Sequence, residues 1–162
     1  MNAALTLKKW RARLLFHFVN IVYLAFLFDL LFIRNRGFLD GYNYNVIPFR
    51  TIGMYISQAH HFNFWIWSTN LFGNVVLFIP LGFLIPAYIR FARRPILALV
   101  LLLLVNTSIE VAQIVWHVGS FDVDDIILNF FGGMLGIVLY GRLRKSVKRQ
   151  KSRQAGEPII EK

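Results

Sequence analysis

Residues 96–141 read ILALVLLLLVNTSIEVAQIVWHVGSFDVDDIILNFFGGMLGIVLYG. Two apolar runs, about 96–116 and 123–141, are each close to the ~20 helical residues that cross a hydrocarbon core. Polar residues interrupt them at helical intervals. Asn106, Glu110, Gln113 and His117 form one row; Asp122, Asp125, Asn129, Gly132 and Gly136 form another. Spacings of three and four place each row on one face of a helix. An ionisable residue at membrane depth costs ~3 kcal/mol on insertion scales, so aligned acids and amides point to an interior site.

Two further apolar runs lie outward of this stretch, at about 14–33 and 70–89. The chain has 162 residues, of which 57% are hydrophobic. The fold class that follows is all-α: an integral membrane four-helix bundle, with no room for a separate soluble domain. The first apolar run is longer than a signal-peptide core and lacks an A-x-A-like site, so it reads as a permanent helix. Cysteine is absent, which excludes a thiol nucleophile, a disulfide framework and thiolate metal ligation.

The formal charge of +10 is unevenly placed. Lys8, Lys9, Arg11 and Arg13 precede the first run. Arg90, Arg93 and Arg94 separate the second and third. Arg142, Arg144, Lys145, Lys148, Arg149, Lys151 and Arg153 follow the fourth. Alternating helices put all three clusters on one side, which the positive-inside rule makes cytoplasmic. Both termini are therefore expected in the cytoplasm, and only Arg34, Arg36 and Arg50 outside. The basic tail is expected to meet anionic lipid rather than nucleic acid. The domain layout is a basic N-tail (1–13), a transmembrane domain (14–141) containing an outer loop (34–69), and a basic tail (142–162).

In that outer loop, Asn43–Phe49 is turn-prone and closes on Pro48. Ile52, Tyr55, Ile56, Ala59, Phe62 and Ile66 then fall at helical spacing, which predicts a short interfacial helix. Pro80 and Pro86 predict a bend in the second span. Gly132-x-x-x-Gly136 predicts close helix packing in the fourth.

Topology sets the depth of the polar rows. Glu110 lies ~9 Å below the outer end of its span at 1.5 Å per residue. Asp122, Asp124 and Asp125 sit at the outer mouth of the fourth span, with Asn129 further in. Asn70, Asn74 and Asp29 occupy the same level on the other two. Asp124 is off the main face and is expected to cap the fourth helix or to favour its dipole. The polar groups thus predict a cavity in the outer leaflet, with carboxyl groups accepting hydrogen bonds from a bound headgroup. No cofactor is called for; the oxygen ligands of Asp122, Asp125 and Glu110 would suit magnesium or calcium, but three carboxyl groups without a full ligand set are weak support for a metal site. Ser108 and His117 lie on different faces, with nothing to orient them as a triad. His60-His61 reads as a solvated pair.

Four blocks together resemble the VanZ-like family of bacterial membrane proteins: Asn45–Ile52 (NVIPFRTI), Gly73–Phe83 (GNVVLFIPLGF), Ser108-Ile109-Glu110-x-x-Gln113, and Asp122–Gly132 (DVDDIILNFFG). The resemblance implies a small multi-pass protein of the bacterial plasma membrane, associated with resistance to teicoplanin-type lipoglycopeptides. It picks out Asn74, Glu110, Gln113, Asp122, Asp125 and Asn129 as site residues. The chain departs from it at Val118-Gly119-Ser120-Phe121, where relatives often carry an arginine. Arg50 is the candidate to supply that charge from the loop.

The expected function is binding of a lipid-linked or amphiphilic cell-envelope molecule in this cavity, with membrane lipids as partners. Two other readings stand beside it. One is an enzyme using Glu110 and Asp125 as acid and base on an envelope lipid. The other is an assembly partner whose polar faces close against another subunit. Oligomeric state and ligand identity are not legible in the sequence.

Overall fold

A computed structural model describes residues 2–34, 44–58, 60–61 and 63–155. Arg36, Asn43, Ala59 and Phe62, named above, lie outside the described residues, as do the last seven residues of the basic tail. Helix α1 (Asn2–Phe28) widens into a π-helical turn at Asp29–Arg34. A two-residue strand β1 (Tyr44–Asn45) leads to α2 (Arg50–Ser57). Helix α3 (Phe64–Ser68) continues through a π turn at Thr69–Gly73 into α4 (Asn74–Tyr88). A 3-10 turn (Phe91–Arg93) joins α4 to α5 (Pro95–Val115), and strand β2 (Phe121–Asp122) precedes α6 (Val123–Ala155).

Among the described residues the protein is all-α apart from the β1–β2 pair. Four of its helical stretches are long and apolar enough to cross a membrane: Leu7–Arg34, Phe64–Tyr88, Pro95–Val115 and Val123–Gln154. The sequence-predicted spans overlap all four: the first two stretches begin earlier, at Leu7 and Phe64, the second and third end one residue short of Ile89 and Trp116, and α6 runs unbroken beyond residue 141 to Ala155.

Local signals account for the helix ends. The Asn63 side chain accepts from Trp65 N at 3.0 Å, capping α3. Pro95 occupies the first turn of α5, where a missing N–H costs nothing. At the other end of α5, His117 adopts φ 54°. Its N–H donates to Ile114 O at 3.2 Å, and that of Val118 donates to Gln113 O at 3.0 Å. This is the left-handed helix terminator in which glycine is usual. His117 therefore ends α5 instead of extending its polar row.

Packing is closest between α4 and α6. A Cβ added at Gly132 would strike the Val75 carbonyl, and one at Gly136 the Ile79 carbonyl. Gly82 lies in the same way against the backbone of Gly133. The two helices thus touch backbone to backbone, as small residues permit in membranes. Pro80 and Pro86 lie inside α4 without ending it. Below the glycine seam, Ile85, Ala92, Ala98, Leu102 and Ile137 form the apolar core.

Helix α1 is the least buried of the four stretches. Polar bonds fasten it: Tyr23 Oη donates to Leu77 O at 2.7 Å, Asn20 Nδ2 donates to Tyr88 Oη at 3.0 Å, and His17 Nδ1 lies 2.8 Å from the same hydroxyl. The outward faces of the bundle are apolar, with Phe18, Ile21, Ile96 and Val100 all exposed. A soluble protein would bury such a surface; hydrocarbon solvates it.

Candidate functional site

The acidic end of the bundle is assembled by a local parallel pairing. Tyr44 pairs with Phe121 and Asn45 with Asp122, so the NVIPFRT segment is laid along the entry to α6. The three aspartates there do different work.

Asp122 is the N-cap of α6. Its Oδ1 accepts from Asp124 N at 2.8 Å, satisfying one of the free N–H groups of the first turn. The same oxygen accepts from Asn45 Nδ2 at 3.0 Å, while Oδ2 accepts from Thr51 Oγ1 at 2.7 Å. Asn45 also donates to Thr51 Oγ1 at 3.1 Å, closing a triangle of side chains.

Asp124 is fully buried, and its partners belong to another helix. It accepts from Phe49 N, from Thr51 N at 2.7 Å and from Ile52 N at 3.0 Å. These are the N–H groups at the start of α2. The cap of α6 expected from Asp124 is supplied by Asp122, and Asp124 caps α2. Phe49, exposed and at φ 65°, holds a left-handed conformation that costs an ordinary residue ~1 kcal/mol. Its bond to Asp124 fixes it there.

Asp125 faces α4, where Asn74 Nδ2 donates to its Oδ1 at 2.6 Å. Asn74→Ala removes that donor from a part-buried carboxyl group. The expected loss is ~1–3 kcal/mol, and a double-mutant cycle with Asp125→Ala, read by thermal unfolding in detergent, should show the two changes to be coupled. Strict additivity would mean that the bond contributes nothing.

Glu110 is 2% exposed, and its Oε2 accepts from Asp122 N at 3.1 Å. Gln113 turns away from this group and donates to Leu31 O at 3.0 Å, tying α5 to the end of α1. Deeper in, Asn129 and Asn106 are buried. Neither polar atom of the Asn106 side chain, nor Oδ1 of Asn129, has a hydrogen-bond partner among the described residues. Asn70 Nδ2 donates to Ile66 O at 2.7 Å on its own helical stretch. Asp29 forms an exposed ion pair with Arg34 at 3.5 Å.

Of the sequence-predicted site residues, the structure therefore joins Asp122 to Glu110 and Asp125 to Asn74. It places Gln113 at the α1 contact, Asn129 in the interior and Arg50 on the surface. Arg50 borders a cavity of about 260 Å³, together with Asn45, Thr51, Met54, Ser120 and Asp122. Tyr55, one turn after Thr51, also faces the acids: burial first, then the negative fields of Asp125 and Asp122, pushes its phenol above the usual value. Asn45, Thr51 and Tyr55 were read only as loop or helix-face residues. Asn45 and Thr51 stand in the NVIPFRT block, which was their available signal; Tyr55 lies beyond it. No group of three His, Cys, Asp or Glu among the described residues is arranged to hold a metal ion.

The VanZ/LLP1 family model matches residues 15–144. Protein VanZ of Enterococcus faecium is 29% identical over 147 residues, covering 87% of this chain and 79% of the relative. No solved structure gives a significant match. The matched segment runs from α1 into α6 and contains the β1–β2 pair, the α2 clamp and all the acids and amides just described. This helical protein belongs to the VanZ/LLP1 family.

Proposed function

We propose that the acidic end of the bundle binds the headgroup of a lipid-linked or amphiphilic cell-envelope molecule. In this reading the protein is a multi-pass component of the bacterial plasma membrane with both termini in the cytoplasm. The basic clusters then lie inside, and the cavity beside Arg50 opens at the outer leaflet with α2 in the interface. Family membership supports a link to resistance to teicoplanin-type lipoglycopeptides, for which headgroup binding is the proposed basis.

One observation carries the reading. Arg50 shares its cavity with Ser120 and Phe121, the segment where the family resemblance leads one to expect an arginine and this chain has none. The cavity presents the Arg50 guanidinium, the hydroxyls of Tyr44, Thr51 and Ser120 and the Asn45 amide beside the apolar surfaces of Met54 and Phe121. The Asp122 carboxylate that also borders it is engaged by Asn45 and Thr51. A guanidinium with neighbouring hydrogen-bonding groups suits phosphate or carboxylate, and the apolar side suits the rest of an amphiphile. Glu110 and Asp125 are engaged by Asp122 N and Asn74. They do not border the cavity, which supports binding over acid–base catalysis.

Arg50→Gln tests the proposal. Loss of a charge-assisted hydrogen bond is worth ~1.5–3 kcal/mol, or roughly 10–100-fold in affinity. Lipids extracted from purified wild type should include an envelope species depleted by about that factor in Arg50→Gln. Cells expressing the wild type should tolerate more teicoplanin than cells expressing the variant. Equal lipid content in the two preparations would overturn the assignment.

A further inference from the structure

At the end of the helices opposite the aspartates, Arg93, Arg144, Lys145 and Lys148 rim a cavity of about 330 Å³. Its inner surface is apolar and includes Ala92, Ile137 and Tyr140. Ala92 and Ile137 belong to the buried core, so the base of this cavity is the packed bundle itself. The α6 contribution follows a helical stripe: Ile137, Gly141, Arg144, Lys145 and Lys148 recur on one face. The extension of α6 beyond residue 141 is what carries the cations into position.

Among the described residues, the charges on this rim form no ion pair. No Asp or Glu occurs between residues 41 and 109 or between 126 and 156, the segments that build the cavity. The acids of the described residues, Asp29, Glu110, Asp122, Asp124 and Asp125, lie at the other end of the bundle. Like charges held together raise the energy of the site, and an anion seated among them lowers it. Arginine offers paired donors to a phosphate, and lysine adds a point charge.

We propose that this cavity is a binding site for an anionic phospholipid, with the phosphodiester held by Arg93, Arg144 and Lys148 and the glycerol and upper acyl segments against Ile137 and Tyr140. The combination of cationic rim and apolar wall selects an amphiphile over a free phosphate. A basic pocket between spanning helices is a chemistry that suits lipid headgroups. The site is separate from the Arg50 cavity and stands whether or not the outer cavity binds a ligand.

Native mass spectrometry of the full chain in detergent tests it, with phosphatidylglycerol or phosphatidylcholine added. Wild type should retain phosphatidylglycerol in preference to phosphatidylcholine. Arg144→Gln with Lys148→Gln should reduce that retention about 10-fold, while Arg142→Gln with Arg153→Gln, neither of which lines the cavity, should change it less than about 3-fold. Gly141→Leu keeps every charge and enters open space, since nothing lies within 4 Å of an added Cβ. It should block the cavity and lose the lipid as the first pair does. Equal losses from the two charge pairs, with Gly141→Leu unaffected, would overturn the proposal in favour of diffuse surface attraction. Displacement of the lipid by glycerol phosphate at the same concentration would overturn the choice of a phospholipid.

Discussion

Asp124→Ala is expected to cause one of the two largest losses of stability of any single substitution in this protein. The side chain is fully buried and accepts backbone N–H groups from Phe49, Thr51 and Ile52. Removing it leaves those donors unpaired at the start of α2. Each buried unsatisfied group costs ~1–3 kcal/mol, so a total of about 3–5 kcal/mol follows, allowing for partial rescue by water. The energy is local to one contact, which makes the structural outcome specific. The NVIPFRT segment should detach from α6 while the spanning helices persist. Thermal unfolding in detergent should fall, and limited proteolysis should cut at residues 46–52 in the variant and not in wild type. Asp124→Asn retains one carbonyl acceptor and should fall between the two. An Asp124→Ala protein with wild-type protease resistance in this segment would show that the clamp is unimportant.

Gly136→Ala is expected to be of comparable severity, by the opposite physics. The added methyl group meets the carbonyl oxygen of Ile79, and it comes within 2.7 Å of Phe83 N. Overpacking a core ordinarily costs ~1–3 kcal/mol, because side chains can rotate or shift. Here the obstacle is the backbone of α4, which yields only if the two helices move apart. The loss should therefore reach or exceed the upper end of that range, and the larger Gly136→Leu should prevent the α4–α6 pair from forming. Gly132→Ala meets the Val75 backbone in the same way, and the double substitution should cost less than the sum once the helices have separated. Gly141→Ala supplies the control on the same helix. Its Cβ enters open space, so the unfolding temperature should stay near that of wild type. Equal behaviour of Gly136→Ala and Gly141→Ala would rule out backbone contact at the seam.

Particular residues show how far the sequence could be read. Gly132 and Gly136 announced a close contact because a spacing of four on a helix is a one-dimensional property. Their partners on α4 were not announced, since Val75 and Ile79 look like any other apolar residues in the span. Asn74 and Asp125 were both singled out, and the structure pairs them. Glu110 and Gln113 were read as neighbours on one face, yet Glu110 turns to Asp122 N and Gln113 to Leu31 O. Adjacent positions in a helical row can diverge because each side chain bonds to whichever element packs beside it. His117 fitted the same row by spacing. It fell outside because α5 had already ended, and that end is defined by a backbone conformation.

The sequence by itself determined the class of protein, the places of its long apolar helices and the separation of a basic end from an acidic one. Hydropathy, charge and helical period are properties of neighbouring residues, so they survive without knowledge of the fold. Only the tertiary structure decided how the aspartates divide their roles, because their partners are remote in the chain. Asp122 caps its own helix, Asp125 meets Asn74 51 residues away, and Asp124 reaches back 72 to 75 residues to hold α2. A carboxyl group has the same composition and spacing whichever donor it finds. What differs is the donor that packing brings to it.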